Sequence, residues 1–375
     1  MGTGINLSPA ADERSNGRRA RVDPCPYWRV RFHALAFIKL LVFSLSPSCS
    51  APATLSELDV AEARADAGDV DGAVAAYRAA QGKCGALKPE RRAKAACREA
   101  LLGEGEAYER GGRAQVAIET YLAVPAKATD DGQTAAIATY RAGELLLKGG
   151  KVVEAWTALW KVVTDWPDEP TAGDALRELC ADGRARDARA LADQMAKLLT
   201  PLAETQVGDN LVWALADVTE HELQNPAAAR AYYDRIPVDY PGSGMRDDAR
   251  WHAARLSRAL GDPQGAATRL RALLATREVA IGAGSYFSIW LDDAQLELGK
   301  VLRDDLQDLA GAAAAFRRLP KDYPASILKD DALYELAVTL EKAGDHAGAC
   351  AAVAKLAKEH ADSKYLARAK EVCAP

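Results

Sequence analysis

Histidine, cysteine and adjacent carboxylates are the side chains that could carry chemistry in this chain, and their spacing argues against most of it. The five histidines, His33, His221, His252, His346 and His360, are scattered, and none reads as having a Cys or His partner at metal-ligand spacing. His221 and His252 read as helix-surface residues. Cys84 with Cys97, and Cys350 with Cys373, lack the two-residue separation that lowers a thiol pKa at a helix start, so neither pair reads as a redox site. Asp247 and Asp248, Asp292 and Asp293, and Asp330 and Asp331 could suggest calcium, but each pair precedes an apolar-periodic helix, where capping is the simpler role. Gly282 and Gly284 fall in a loop before an apolar helix and lack the strand that a dinucleotide site requires. No hydrolase, metalloprotease or phosphate-loop signature occurs. The expectation is a protein without catalytic, cofactor-binding or metal residues, and not an enzyme.

The elements that must position these residues are helices. One phrase recurs: a Gly, then a small residue, then an aromatic or aliphatic one turn later, often with a Pro beyond. It runs through Gly68, Ala73, Tyr77; Gly112, Ala117, Tyr121; and Gly150, Ala155, Leu159, Pro167. It returns as Ala229, Tyr233, Pro241; Gly261, Ala266, Leu270; Ala312, Phe316, Pro324; and Gly344, Ala349, Val353. The small residue lets a partner helix approach, the larger one fills the hole beside it, Gly ends one helix and Pro stops the next. A unit near Ala188, with Leu179 and Gly183, is degenerate, and the helix LDDAQLELGKVLRD before Ala312 looks out of register.

The chain has 375 residues, 49% hydrophobic and 6% aromatic, with a net charge of −5. That composition suits small-residue helix packing and supplies no basic field for nucleic acid. The recurring alanines are spaced by 33 to 46 residues, mostly beyond the tetratricopeptide period of about 34 residues.

From about Leu55 to Pro375 the pattern resembles the tetratricopeptide repeat family. The resemblance implies an all-α fold, a right-handed superhelix of about seven to eight helical hairpins with a C-terminal capping helix. The chain divides into a tail over 1–53 and two halves of the array over 54–200 and 201–375. The hairpin endings DWPDEP, DYPGSG and DYPASILKDDALYELA, around Trp166, Tyr240 and Tyr323, are similar to bacterial envelope repeat lipoproteins of the beta-barrel-assembly and Tol-associated types.

Such a stack presents one concave face lined by the first helix of each hairpin. Helical phasing places Leu102, Glu106, Tyr140, Glu144, Trp251, Arg255, Arg258, Tyr334 and Glu341 on that lining, as candidate partner contacts; Trp, Tyr and Arg are the types enriched at interface hot spots. Trp251 and Tyr334 could equally pack between repeats. Trp156, Trp160 and Trp166 read as core. The basic clamp that holds a partner's C-terminal carboxylate is missing, since Lys and Asn do not recur at first-helix positions.

The N-terminal segment speaks to location. The first 53 residues carry seven basic and three acidic residues, and after Arg29 and Arg31 comes the apolar run His33–Leu45, then SPSCSAPA. Basic flank, short apolar segment and small residues are the anatomy of a secretory signal. Ser46, Pro47, Ser48 and Cys49 resemble a lipoprotein box, departing at Ser46, and would make Cys49 the lipidated residue; Ala51, Pro52 and Ala53 offer a competing cleavage site. The expected location is the periplasm, with outer-membrane anchoring through Cys49. Bridges Cys84–Cys97 and Cys350–Cys373 would suit that compartment, and ordinary buried thiols are the other reading; Cys180 reads as core.

The function expected is therefore a non-enzymatic protein–protein interaction scaffold of the bacterial envelope, with a protein partner on the concave face, a membrane held through the lipid, and no nucleic acid. The alternatives are a non-catalytic subunit of a peptidoglycan-processing or secretion complex, and a peptide- or glycan-binding solenoid using Trp251.

Overall fold

Each recurring phrase folds as a helix pair. The computed structural model describes residues 56–84, 91–276 and 288–373; Cys49 with its signal-like segment, and Gly282 and Gly284, lie outside them. The described residues contain α1 (Ser56–Asp66), α2 (Val70–Cys84), α3 (Arg91–Arg110), α4 (Ala114–Lys127), α5 (Gly132–Lys148), α6 (Val152–Asp165), α7 (Pro170–Leu198) and α8 (Gly208–His221). They continue with α9 (Pro226–Asp239), α10 (Arg246–Ala259), α11 (Pro263–Leu274), α12 (Leu291–Lys300), α13 (Leu309–Asp322), α14 (Lys329–Lys342), α15 (His346–Glu359) and α16 (Leu366–Val372). No strand occurs among the described residues, and none of their helices is long and apolar enough to cross a membrane. The described residues form an all-α solenoid of helical hairpins.

In every hairpin except the one within α7, the first helix ends on a left-handed residue. Gly68, Gly112, Gly150, Gly261 and Gly344 take φ between 71° and 80°, a region glycine enters without steric penalty. The residue after the turn starts the second helix. Asp69, Asp262, Asp308 and Asp345 accept the backbone N–H three residues on, at 2.8–3.0 Å, and Asn225 does the same from Ala228 at 3.1 Å. Two turns lack glycine: Gln224 and Gln307 occupy the left-handed station at φ 50° and 55°.

The two irregular units acquire physical explanations. In α7 the backbone leaves helical geometry at Asp187, φ −155° and ψ 82°, and its carboxylate caps Ala190 at 2.9 Å. Gly183 is not the turn glycine that the sequence suggested. It is buried within the first half of α7, and a Cβ there would lie 3.0 Å from Leu191 and 3.1 Å from Trp156. In a straight helix eight residues advance about 12 Å, so the approach of Leu191 to Gly183 shows the chain folding back into a hairpin. The apparent register error before Ala312 is a π-helical turn, Val301–Asp305, that follows α12 and absorbs extra residues.

Packing follows the small-and-large scheme. A Cβ on Gly103 would fall 2.3 Å from the Tyr77 ring, on Gly105 2.3 Å from Tyr121, on Gly299 2.4 Å from Phe316, and on Gly143 2.7 Å from Leu159. The apolar interior is a series of four clusters, each shared by neighbouring hairpins, as expected of a repeat array. Trp156, Trp160 and Trp166 pack against the third of these, and Cys180 is buried and takes part in neither disulfide. Disulfides join Cys84 to Cys97 and Cys350 to Cys373, with Cα atoms 5.6 Å and 5.3 Å apart.

Candidate partner-binding face

First helices touch first helices along the array: α1 meets α3, α3 meets α5, α5 meets α7, α12 meets α14 and α14 meets α16. Polar links bind most of these neighbours. Arg98 on α3 donates to Thr134 at 3.0 Å and Asp131 at 3.3 Å on and before α5, and Arg141 on α5 pairs with Glu109 on α3 at 3.8 Å. Arg184 on α7 reaches the buried Asp217 and, at 3.0 Å, Glu222 beside α8. His252 Nδ1 on α10 lies 3.4 Å from Glu220 on α8. Burial alone would raise Glu220, but the hydrogen bond from His252 leaves its carboxyl below the ordinary value. Arg258 on α10 meets Glu297 and Asp305 at 2.7 Å each, and Arg303 in the π turn pairs with Asp304 at 2.7 Å and with Glu335 on α14.

The adjacent aspartates are part of the same seam, which corrects their reading as caps. The N-cap positions of α10, α12 and α14 are Met245, Trp290 and Leu328, and none makes a side-chain cap bond. The carboxylates instead reach other hairpins. Asp248 accepts from Trp290 Nε1 at 2.7 Å, Asp292 from Ser326 Oγ at 2.6 Å, Asp330 from Ser363 Oγ at 2.8 Å, and Asp331 from the Tyr365 hydroxyl. Asp247, almost fully buried, is held by Arg250 at 3.0 Å and Arg246 at 3.3 Å. Sequence reasoning missed the links between hairpins because each joins residues more than thirty positions apart; Ser326 and Ser363, just before α14 and α16, were the available signal.

The residues nominated as partner contacts divide by environment. Leu102 is half-buried and packs against the N-terminal cluster; Glu106 lies 3.9 Å from Arg110. Tyr140 is half-buried, and burial, then Glu144, pushes its hydroxyl up to about 12; Glu144 also accepts from Arg141 at 3.2 Å. Trp251 stacks on Trp290 and Tyr334 on Tyr365, with ring centroids 5.2 Å and 4.6 Å apart. Arg258 is engaged by the acidic groups above, Arg255 is exposed, and Glu341 accepts from His346 Nδ1 at 2.7 Å. On α1 and α3, Glu62 and Glu99 are exposed; partial loss of water around its carboxyl, and then the charges of Glu62, Asp59 and Glu106, hold Glu99 above the ordinary carboxylate value, so like charges gather there.

Two histidines differ from expectation. His252 is not a free surface residue: its ring lies 5.0 Å from Tyr233 and 5.5 Å from Trp213. His346 does have a cysteine at ligand spacing, Cys350 on the next helical turn, and Cys373 lies beside both.

The family model of the tetratricopeptide repeat matches residues 293–326 and 331–363, the stretches that span α12–α13 and α14–α15. No curated protein matches the sequence. Among solved structures, a tetratricopeptide repeat protein from Parabacteroides merdae is 15% identical, covering 76% of this chain and 99% of its own, at a TM-score of 0.30. PilW, a type IV pilus biogenesis factor, is 15% identical over 72% of this chain and 97% of its own, at 0.34. PilF of Pseudomonas aeruginosa is 14% identical over 74% and 94%, at 0.28. Superpositions at these scores are loose.

Proposed function

We propose that this chain, a tetratricopeptide-repeat protein by its two matched units and by the plan its other hairpins share, is a non-enzymatic scaffold that binds protein through its first-helix face. The observation that carries the reading is the seam itself. Arg–carboxylate pairs, Ser–Asp bonds and stacked aromatics fix successive first helices against one another, so the side chains left exposed between them are held at set spacings. A preorganised surface loses less conformational entropy on binding than a mobile one. Glu62, Glu99, Arg255 and Glu341 are among the exposed first-helix positions it offers.

Export and lipidation at Cys49 belong to the same proposal. Their support is the basic flank, the apolar run His33–Leu45 and the small residues that follow. The envelope is an oxidising setting in which the bridges Cys84–Cys97 and Cys350–Cys373 persist.

Proximity labelling in the native cell, repeated with Glu99→Arg and Arg255→Glu, tests the binding face. The expected result is a defined set of partners lost from these variants while their melting temperatures stay within a few degrees of the parent. An unchanged partner set in both variants overturns the face assignment. Fractionation with labelled fatty acid tests the location: unlabelled protein in the cytosol, with Met1 intact, overturns export and lipidation together.

A further inference from the structure

Where α15 meets α16, an imidazole nitrogen and two sulfurs converge. His346 and Cys350 stand one turn apart on α15, Cys373 closes α16, and one ligand atom from each lies within 4.8 Å of the others. Among the described residues this is the one such group of three that could hold a metal ion. His346 Nε2 lies 3.6 Å from Cys350 Sγ, while its Nδ1 lies 2.7 Å from Glu341 Oε2. A carboxylate can only accept, so Nδ1 carries the proton and the Nε2 lone pair faces the sulfur. Carboxylate, histidine and open Nε2 in series are how proteins orient a metal-binding imidazole. Among the described residues the other bridge has no such neighbour, and Cys84 Sγ sits 3.6 Å from the Ala80 carbonyl.

We propose that, when the Cys350–Cys373 bridge is reduced, His346 Nε2 and the two thiolates bind a zinc ion, with Glu341 orienting the imidazole. The distances suit it. Zn–S bonds of about 2.3 Å and Zn–N bonds of about 2.0 Å at a tetrahedral angle place sulfur and nitrogen roughly 3.5 Å apart, close to the 3.6 Å already present. Three protein ligands leave the fourth position to water, and the side chain of His346 is half exposed. The balance is complete with a small-molecule thiol as reductant. Two thiols are oxidised to their disulfide, the bridge is reduced to two cysteine thiols, and each cysteine then releases one proton as it bonds to zinc. Bridge and metal exclude each other, so the clamp on the terminal helix changes its chemistry with redox state while its residues stay paired.

The test uses the full chain carrying Cys84→Ser and Cys97→Ser, reduced with a phosphine and titrated anaerobically with cobalt(II) as the zinc surrogate. The expected result is one equivalent bound, a thiolate-to-cobalt charge-transfer band displaced by zinc, two protons released per ion, and no band in the oxidised protein. His346→Ala should weaken binding at least tenfold and Glu341→Gln by about tenfold to a hundredfold; both keep the cysteines, and circular dichroism confirms the fold. If the double-serine background is itself unfolded, His346→Ala and Glu341→Gln are compared with the parent sequence, where each should lose the corresponding site. A reduced protein with no charge-transfer band, or variants that bind as tightly as their parent, would overturn the proposal.

Discussion

Trp251 lies on Trp290 with ring centroids 5.2 Å apart and planes 13° from parallel, and the Trp290 indole also donates to Asp248 at 2.7 Å. The residue best suited by type to be a ligand contact is thus half of a joint between α10 and α12. Trp290→Phe keeps a stacking ring and removes the donor, leaving the Asp248 carboxylate short of a partner. The expected cost is about 1–3 kcal/mol, read as a shift in the denaturation midpoint. A midpoint equal to the parent's would show that the hydrogen bond contributes nothing to the joint.

The left-handed glutamines predict a gain. A non-glycine residue in that region costs roughly 1–2 kcal/mol, while glycine gives back about 0.4–1 kcal/mol through the unfolded chain. Gln224→Gly and Gln307→Gly should each therefore stabilise the protein by about 0.5–1 kcal/mol in chemical denaturation. Destabilisation would mean that the glutamine side chains, which donate to His221 and Asp304 carbonyls, outweigh the backbone strain.

Two helical glycines should respond to alanine with opposite signs. At Gly173 nothing lies within 4 Å of an added Cβ, so helix propensity alone acts and Gly173→Ala should gain about 0.5–1 kcal/mol. At Gly299 the Cβ would fall 2.4 Å from the Phe316 ring, and overpacking of about 1–3 kcal/mol should exceed that gain. Thermal melts of the pair decide it; two shifts of the same sign would refute the packing account.

Acid should loosen the π turn Val301–Asp305 and its contact with Arg258 on α10. The hydrogen bond from Arg303, then the Arg303 and Arg258 charges, hold the Asp304 carboxyl below its ordinary value. The folded value lies below the unfolded one, so the stabilising contribution is complete above an ordinary carboxylate value of about 4 and is lost as pH falls through the depressed one. Hydrogen exchange around Val301–Asp305 should accelerate on acidification, and Arg303→Gln should flatten that dependence. A parent protein whose exchange in this turn shows no such acceleration would contradict the assignment.

The hairpin plan was legible because it rests on local signals. Gly68 or Gly344 before an Asp marks a turn, and Ala312 followed by Phe316 marks a helix face that can be closely packed. Irregular stations were hidden: Gln224 and Gln307 carry no turn signature, and nothing local distinguishes a π turn at Val301–Asp305 from α-helix. The seam was hidden for another reason. Asp248 finds Trp290 across 42 residues, and its position in a first turn fits capping equally well. His346 was hidden because a lone His and Cys four residues apart on one helix form a site only once α16 folds back to bring Cys373 beside them.

The hydrogen bonds from Ser326 to Asp292 and from Ser363 to Asp330 span 34 and 33 residues and join the same chemical groups. The hairpin of α14 and α15 therefore carries both halves of this joint: its Asp330 accepts from the Ser that follows it, and the Ser before it donates to Asp292 of the preceding hairpin. Duplicating or excising one such hairpin would leave every Ser with an Asp to meet, so the length of this part of the array is a quantity that recombination can change in whole units, without first inventing a new junction.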